Sequence, residues 1–202
     1  MNTKYEFTGE TKIVYGRTLR RIKAIVAIGV TVAPGDIGGW IENENNLSAY
    51  GNAWVYGDAM VYGNARVYGD ARVYDNARVC GHAMVAGPPE VYGDAIVHGD
   101  AEVYDNAIVF GNTRVYGNAI VSGDARVCGD ADYMTFKNSW SSGRWFTYTT
   151  SNKKWKVGCF YGTGDELVSK AYADSELSGK CYEAIVRAVE AIEEAKKSEV
   201  KE

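Results

Sequence analysis

A six-residue repeat occupies residues 49–132 and constrains this chain more than any other feature of its sequence. Fourteen consecutive hexads of the type Val-Tyr-Gly-Asp-Ala-Arg follow one another, and the first position is Val in every hexad after the opening one. The fifth position is Ala except at Pro89 and Thr113. A short repeat of this kind predicts a solenoid, because each unit can bury its apolar side only by stacking on its neighbours.

The order of residues within a hexad predicts a short strand followed by a corner. Side chains alternate across a strand, so Ala and Val face one side and the residues next to them face the other. Gly followed by Asp or Asn suits a corner, because these residues tolerate positive φ and supply local hydrogen bonds. The interior of the coil is therefore predicted to be lined by Val and Ala. The Pro88-Pro89 step is expected to add a small bulge or loop at one corner.

The corner residues favour a coil of 18 residues. At this period the three corner columns read Asn52, Asp70, Pro88, Asn106 and Asp124, then Asp58, Asn76, Asp94, Asn112 and Asp130, then Asn64, His82, Asp100 and Asn118. No Asp lies directly above another Asp, whereas a period of 12 would place Asp58 on Asp70. Since like charges about 4.8 Å apart are unfavourable, the sequence predicts three-sided coils.

The hexads resemble the hexapeptide repeat of left-handed parallel β-helix proteins, and the left-handed sense and a homotrimer are implied by that resemblance. The flanking segments GDIGGWIENENNLSAYGNAWV and RWFTYTTSNKKWKVGCFYGTGDELVSKAYADS are similar to phage and prophage members, which are usually described as hexapeptide-repeat or polymer-forming proteins. The predicted fold is therefore mainly β. It is a three-sided left-handed parallel β-helix of about 4.7 coils, with an N-terminal β cap and a small C-terminal α+β domain.

Three domains are predicted from the changes in pattern along the chain. Residues 1–48 form an N-terminal β cap, residues 49–132 the β-helix, and residues 133–202 a β-hairpin followed by helices. RWFTYTT and KWKVGCF are expected to pair as the hairpin. Thr163 and Glu166 have the spacing of a capping box at the start of a short helix, and a longer helix is expected from about Gly179 to Lys197.

The outward side of the predicted coils is rich in aromatic and aliphatic residues, which favours a contact with another subunit or with the C-terminal domain. The alternative is an exposed aromatic ladder that only stabilises the stacked coils. Together with the apolar face of the long helix, these residues are the predicted interface set: Tyr56, Tyr74, Tyr92, Phe110, Ile96, Ile108, Ile120, Tyr182, Ile185, Val189 and Ile192. The partner expected from the resemblance is two further copies of the chain.

A second candidate site lies in the C-terminal hairpin, where basic and aromatic residues alternate. Such a mixture can hold a phosphate and stack a base, so a small nucleotide ligand is one hypothesis. The residues concerned are Arg144, Trp145, Tyr148, Lys154, Trp155 and Lys156. The alternative is a hairpin core with solvated lysines, since amphipathic hairpins show this alternation without any ligand.

Several functions receive no support from the composition. Four scattered cysteines and two histidines provide no metal-site spacing, and neither a metal nor a cofactor is predicted. A net charge of −4 predicts no general binding to nucleic acid, and no apolar run predicts a membrane span. The N-terminus lacks a signal-peptide pattern, so the expected location is the cytoplasm of a bacterial host.

Three function hypotheses remain from the sequence. The favoured one is a non-catalytic binding or interaction protein of phage or prophage type, most concretely a counter-defence protein that sequesters a host signalling nucleotide or blocks a host protein. The first alternative is a hexapeptide-repeat acyltransferase that uses acyl-CoA, with His82 or His98 as general base. Each histidine replaces a repeat residue, however, so no catalytic residue is assigned. The second alternative is a structural part of a virion or tail.

Overall fold

The computed structural model describes residues 2–199 and divides the chain into two units, with the boundary between Asp132 and Tyr133. The first unit contains sixteen strands and two short 3-10 helices, Glu44–Asn46 and Asp130–Asp132. The strands are β1 (Tyr5–Val14), β2 (Arg17–Ala24), β3 (Ile37–Ile41), β4 (Trp54–Val55), β5 (Met60–Val61), β6 (Arg66–Gly69), β7 (Arg72–Val73), β8 (Arg78–Val79), β9 (Met84–Gly87), β10 (Glu90–Val91), β11 (Ile96–Val97), β12 (Glu102–Tyr104), β13 (Ile108–Val109), β14 (Arg114–Val115), β15 (Ile120–Val121) and β16 (Arg126–Val127).

The repeat strands stack in parallel into three sheets. Face I contains β3, β5, β8, β11 and β14, face II contains β4, β7, β10, β13 and β16, and face III contains β6, β9, β12 and β15. Every third hexad therefore lies in the same sheet, and Val55, Val73 and Val91 are direct partners 18 residues apart. Five strands stack in face II, so the solenoid has about five coils. The three-sided coil and the mainly β fold class are confirmed.

The interior of the solenoid is a column of Val and Ala, as the alternation predicts. The Val side chains at the first position of the hexads are buried, and so are the Ala side chains at the fifth position except in the last hexad; Val73, Ala77 and Val79 are examples. The small Ala precedes the branched Val by two residues, so both point inward from the same short strand. Burial of each Val contributes about 1.5–3 kcal/mol relative to exposure.

The bulge that was predicted at Pro88-Pro89 is not formed. Tyr68 pairs with Ala86 and Arg72 pairs with Glu90, so the 18-residue register continues without interruption on both sides of the two prolines. The Pro89 carbonyl still accepts a hydrogen bond of 2.9 Å from the Arg72 amide. The two prolines lack N–H donors but keep their carbonyl oxygens, so strand pairing continues on both sides of this corner.

The solenoid begins before the first hexad. Strand β3 lies beside β5, with Trp40 opposite Met60, and Leu47 forms a bridge to Val67. This opening coil has no hexad pattern, because Gly38 and Gly39 occupy sites where a side chain has no room. A Cβ atom on Gly38 would lie 2.6 Å from an Ile22 carbon, and one on Gly39 would lie 2.6 Å from a Val55 carbon.

The N-terminal strands form an antiparallel hairpin that extends face I. Strand β1 pairs with β2, and β2 pairs with β3. The hairpin covers outward residues of the first coils in a small core of Leu19, Trp40, Met60 and Tyr62. Part of the apolar outer surface of the solenoid is thus covered by the N-terminal segment itself.

The second unit is an antiparallel sheet with two helices. Its elements are β17 (Tyr133–Lys137), β18 (Trp145–Thr149), β19 (Lys154–Val157), β20 (Phe160–Gly162), α1 (Gly164–Asp174) and α2 (Glu176–Glu199). The predicted hairpin is confirmed as β18 and β19, and strands β17 and β20 extend it on either side. The core contains Phe146, Tyr148, Trp155, Val157, Leu167, Val168, Ala171, Tyr182, Val186 and Val189.

The start of α1 has the capping box that the sequence predicts. The Thr163 amide donates to Glu166 Oε2 at 2.7 Å, and the Glu166 amide donates to Thr163 Oγ1 at 3.3 Å. Helix α2 begins at Glu176, three residues before the predicted Gly179. Among the described residues, neither helix is long and apolar enough to cross a bilayer.

Candidate functional site

A row of aromatic side chains runs along the outer side of face II. Tyr56, Tyr74, Tyr92 and Phe110 each follow a face II strand and lie one coil apart; we call them the tyrosine ladder. The ring centroids of Tyr74 and Tyr92 are 4.7 Å apart with an interplanar angle of 7°, and those of Tyr92 and Phe110 are 5.3 Å apart at 15°. The Arg126 guanidinium lies 5.9 Å from the centroid of Phe110.

The stacking determines which part of each ring a partner can reach. Tyr92 has a neighbouring ring on each side, so both of its faces are occupied and only its edge and hydroxyl point outward. The far face of Phe110 is met by Arg126. The middle of the ladder therefore offers ring edges to a flat partner and has no open ring face for a nucleobase.

The ladder changes at Tyr56, and a cavity opens there. The hydroxyl groups of Tyr56 and Thr31 lie 3.1 Å apart, and the described rings stack only from Tyr74 onward. A shallow cavity of about 320 Å³, largely open to solvent, lies beside Tyr56 and Tyr74 and is lined by Thr31, Tyr56, Arg72, Tyr74 and Glu90. The wall of the cavity thus includes Tyr74, which is the first of the stacked rings.

Two charged residues fix the polar side of this cavity. Tyr74 Oη donates to Glu90 Oε2 at 3.0 Å, and Arg72 Nη1 lies 3.5 Å from Glu90 Oε1. Burial raises the pKa of the Tyr74 phenol, and the hydrogen bond to Glu90 raises it further. The phenol therefore remains a neutral donor that holds Glu90 in place.

A second cavity of about 350 Å³ adjoins the first and shares Thr31 and Arg72 with it. Its lining adds Ile28, Gly29, Val30, Asn52 and Asp70. The loop that forms one wall is anchored by the Gly29 amide, which donates to Asn52 Oδ1 at 3.1 Å. The Val30 side chain at the tip of this loop is fully exposed. An apolar tip beside an aromatic cavity is typical of a protein contact surface.

The structure separates the predicted solenoid interface residues onto three faces. Ile108 lies on face II beside the tyrosine ladder, opposite Glu90 and Arg126. Ile96 lies on face I and Ile120 on face III. Five of the seven interface residues predicted on the solenoid therefore lie on face II, and the other two lie on face I and face III.

The four interface residues predicted on the long helix also differ in their surroundings. Tyr182 and Val189 are buried in the core of the second unit, where Tyr182 packs edge-on against Phe146 at 4.7 Å. Ile185 is half-buried, and Ile192 is exposed. Only Ile185 and Ile192 have surface available for a contact with another chain.

The six residues of the predicted nucleotide site do not converge. Tyr148 and Trp155 face the helices and are buried, with ring centroids 5.0 Å apart. Arg144 lines a cavity of only about 30 Å³ on that side. Trp145, Lys154 and Lys156 are half-buried and alternate with the core residues along β18 and β19, so they lie on the opposite side of the sheet. This is the arrangement of a hairpin core with lysines outside it.

Both histidines take part in the ladders of the repeat. His82 Nε2 lies 3.4 Å from Asn64 Nδ2 in a corner column, and the His98 ring stacks on Tyr116 at 5.6 Å. The four cysteines are free thiols. Within residues 2–199, no three His, Cys, Asp or Glu side chains are grouped as ligands for a metal ion.

Tyr56 and Tyr74 line the cavity and belong to the predicted interface set, whereas its other lining residues, Thr31, Arg72 and Glu90, are not among the predicted site residues. Arg72 and Glu90 occupy one outward column at a spacing of 18 residues, so their proximity could have been inferred from the repeat. Thr31 lies outside the hexads, and nothing in its local sequence indicates that it reaches Tyr56.

Comparison with known proteins supports the repeat fold. A family model described as the YdcK Beta solenoid repeat matches residues 53–69, 59–75, 65–81 and 113–129, all within the hexads. No curated protein matches the chain. The matched hexads and the stacked parallel strands together identify the chain as a repeat β-helix protein that is similar to the YdcK β-solenoid repeat.

Proposed function

We propose that this chain is a non-catalytic interaction protein that binds a protein partner along the tyrosine ladder. The observation that carries the proposal is the cavity at the end of the ladder, where the Tyr74 ring and the Glu90 carboxylate line one wall. An arginine side chain of the partner fits this pair, because a guanidinium can stack on an aromatic ring while it binds a carboxylate.

The charges near the cavity support a protein partner over a nucleotide. Glu90 is only partly neutralised by Arg72, at 3.5 Å, and Asp70 lines the adjoining cavity. The phosphates of a nucleotide would face these two carboxylates, which outnumber Arg72, the cation that lines both cavities, and like charges repel. A cationic side chain of a protein partner would instead be attracted to these carboxylates.

The edges of the ladder provide the rest of the contact. Tyr92, Phe110 and Ile108 are half-buried and lie in line beyond the cavity, and aromatic residues are enriched where interfaces bury the most surface. The exposed Val30 at the other end lengthens this surface. A flat partner surface can therefore cover the ladder while one side chain enters the cavity.

In its most concrete form, the proposal is a counter-defence protein of phage or prophage type that blocks a host protein in the bacterial cytoplasm. The similarity of the flanking segments to phage and prophage β-helix proteins supports this form. We propose a homotrimer as the assembly, with Ile185 and Ile192 available for the contact between copies.

A peptide with a single arginine tests the cavity directly. Acetyl-Gly-Arg-Gly-amide is titrated into the protein while the ring resonances of Tyr74 and Tyr92 are followed by NMR. We expect the Tyr74 resonances to shift and those of the doubly stacked Tyr92 to change less. Glu90→Gln should weaken binding about tenfold.

Glu102→Gln is the matched control, because Glu102 occupies the corresponding outward position on face III. The proposal is contradicted if the peptide causes no shift, or if both variants bind equally well. Turnover of acetyl-CoA that is lost in His82→Ala or His98→Ala would contradict the non-catalytic assignment and favour the acyltransferase.

A further inference from the structure

Three cationic side chains, those of Lys12, Arg21 and Arg78, lie near the N-terminal end of face I. The Lys12 Nζ lies 4.4 Å and the Arg21 Cζ 4.9 Å from the ring centroid of Trp40. Arg21 is the strand partner of Trp40, and two strands further across the sheet is Arg78. The three side chains thus come from the hairpin strands β1 and β2 and from β8, which lies far from the hairpin in the sequence.

Positive charge is in excess around Lys12. The charged groups that act on its ammonium are Asp58, Arg21 and Arg78, one negative and two positive. Burial is the main cause that lowers the pKa of Lys12, and repulsion from Arg21 and Arg78 adds to it. The Asp58 carboxylate is already bound by Arg21 at 3.3 Å and by the Trp40 indole at 3.5 Å. An anion placed among these groups would offset the repulsion.

A tyrosine hydroxyl adds an uncharged donor to the group. Arg78 Nη1 donates to Tyr15 Oη at 3.2 Å, so the phenol oxygen acts as acceptor and its own proton is available for another acceptor. The Tyr15 ring is about three-quarters exposed. Its position is set by the hairpin turn, in which Tyr15 has φ 48° and Gly16 has φ 75°.

The conformation of this turn is unusual for the residue that occupies it. Positive φ at both central positions is typical of a type I′ turn, where Asn-Gly is the favoured pair. A tyrosine there costs stability relative to Asn. The ring is thus held above Arg78 at a position where local backbone preference would select a different residue.

We propose that Lys12, Arg78 and Tyr15 form a binding site for the phosphate group of a small molecule. The ammonium and guanidinium supply charge-assisted hydrogen bonds, and the phenol supplies a third donor from the side of the turn. The exposed Tyr15 ring can then stack on a base attached to that phosphate. The site lies on face I and attracts anions, so it is independent of the acidic cavity on face II.

Binding of inorganic phosphate and of AMP is measured by isothermal titration calorimetry, with chloride used to keep the ionic strength constant. We expect Lys12→Met and Arg78→Met each to weaken phosphate binding about tenfold. Tyr15→Asn should keep the turn and weaken binding of both ligands. Equal affinities for phosphate and AMP would show that the site binds free phosphate. If AMP binds more tightly than phosphate, and Tyr15→Phe retains this difference, the site binds a nucleotide.

Lys23→Met is the control, because Lys23 lies in the same hairpin and is paired with Glu6. It should bind phosphate like the unmodified protein. The inference is overturned if phosphate binds no better than chloride, or if Lys23→Met loses as much affinity as Lys12→Met. Thermal unfolding of each variant shows whether a loss of binding reflects a loss of folding; Lys12→Met is expected to remain folded, since it removes a repelled charge.

Discussion

The side-chain amide of Asn106 donates a hydrogen bond of 3.1 Å to the carboxylate of Asp124, which lies one coil further along the solenoid. Asn76 and Asp94 make the same contact at 3.1 Å, and the Asn52 amide reaches Asp70 at 2.8 Å. Asn and Asp alternate in the corner columns because an amide can donate to a carboxylate above or below it. Two stacked carboxylates could not do so.

Replacement of Asn106 by Asp should destabilise the protein by about 1 kcal/mol at neutral pH. The new carboxylate would lie against Asp124, and this repulsion would raise the pKa of the pair in the folded state. The lost stability should therefore return as the pH falls through the carboxyl range, because protonation removes the repulsion. Urea unfolding at pH 7 and pH 4 measures both effects.

The double variant Asn106→Asp with Asp124→Asn provides the control for this ladder. It exchanges the two partners and restores an amide opposite a carboxylate, so most of the stability should return at neutral pH. A double variant as unstable as the single one would show that the ladder hydrogen bond is not the cause.

The corner glycines should differ in their tolerance of a methyl group. A Cβ on Gly69 would lie 2.7 Å from the Gly87 amide nitrogen, whereas the nearest neighbour of a Cβ on Gly57 is the Asp75 carbonyl oxygen at 3.9 Å. Both residues have positive φ, at 73° and 56°. Gly57→Ala should cost about 1–2 kcal/mol for the backbone conformation alone.

Gly69→Ala should cost clearly more than Gly57→Ala, because the clash is with backbone of the next coil. Chemical denaturation of the two variants measures the difference. Equal losses would mean that the coils can separate at this corner without cost, contrary to close packing of the repeat.

Lys4 should make the stability of the protein rise with pH above 8. Its ammonium is buried and donates to the Ser48 carbonyl oxygen at 3.0 Å, and burial lowers its pKa to about 8, although Asp70 acts in the opposite direction. The unfolded chain binds the proton more tightly, so unfolding becomes less favourable between pH 8 and 10. The gain is at most about 3 kcal/mol.

The variant Lys4→Met should lack this rise, which guanidinium unfolding at pH 7.5, 8.5 and 9.5 would show. The pH range of the measurement stops below 10 because of Tyr5, whose pKa is raised by burial. Above pH 10 the phenol loses its proton more readily in the unfolded chain, which makes the folded state less stable. Parallel stability curves for the two proteins would refute the assignment of the rise to Lys4.

Asn138 should be essential for the stability of the second unit. It is fully buried, and its amide nitrogen lies 2.9 Å from Ser141 Oγ, 3.2 Å from Ser142 Oγ and 3.3 Å from Tyr182 Oη, so its two N–H groups serve three acceptors. Asn138→Ala leaves these groups without that donor and should cost about 2–3 kcal/mol. Tyr182→Phe removes one of the contacts and should cost less, as judged from thermal unfolding followed by tryptophan fluorescence.

The fold was predictable where its pattern is local. The hexads place Val and Ala inward and Gly with Asn or Asp at the corners, and the capping box at Thr163 marks the start of α1. Strand β3 was not recognised, because Gly38 and Gly39 look like turn residues and are instead required by close backbone approach. Strands β17 and β20 were missed since each is short and gains its pairing only from the hairpin beside it.

The candidate site was predictable only in part. The tyrosine ladder follows from the 18-residue period, because residues one coil apart must lie above one another. The predicted nucleotide site in the hairpin illustrates the opposite case. Basic and aromatic residues alternate there in sequence, but alternation along a strand places Trp155 and Lys156 on opposite sides of the sheet.

The sequence by itself determined a three-sided solenoid, since each hexad specifies its own strand, corner and buried pair, and stacking then repeats the same contact. Tertiary structure alone decided which outward residues are covered and where cavities open. Tyr56 leaves the stack because a loop brings Thr31 to its hydroxyl, and Arg78 meets Tyr15 because the turn of the N-terminal hairpin reaches face I. Such contacts join residues that are distant in the chain, and the local residue pattern carries no information about their distance in space.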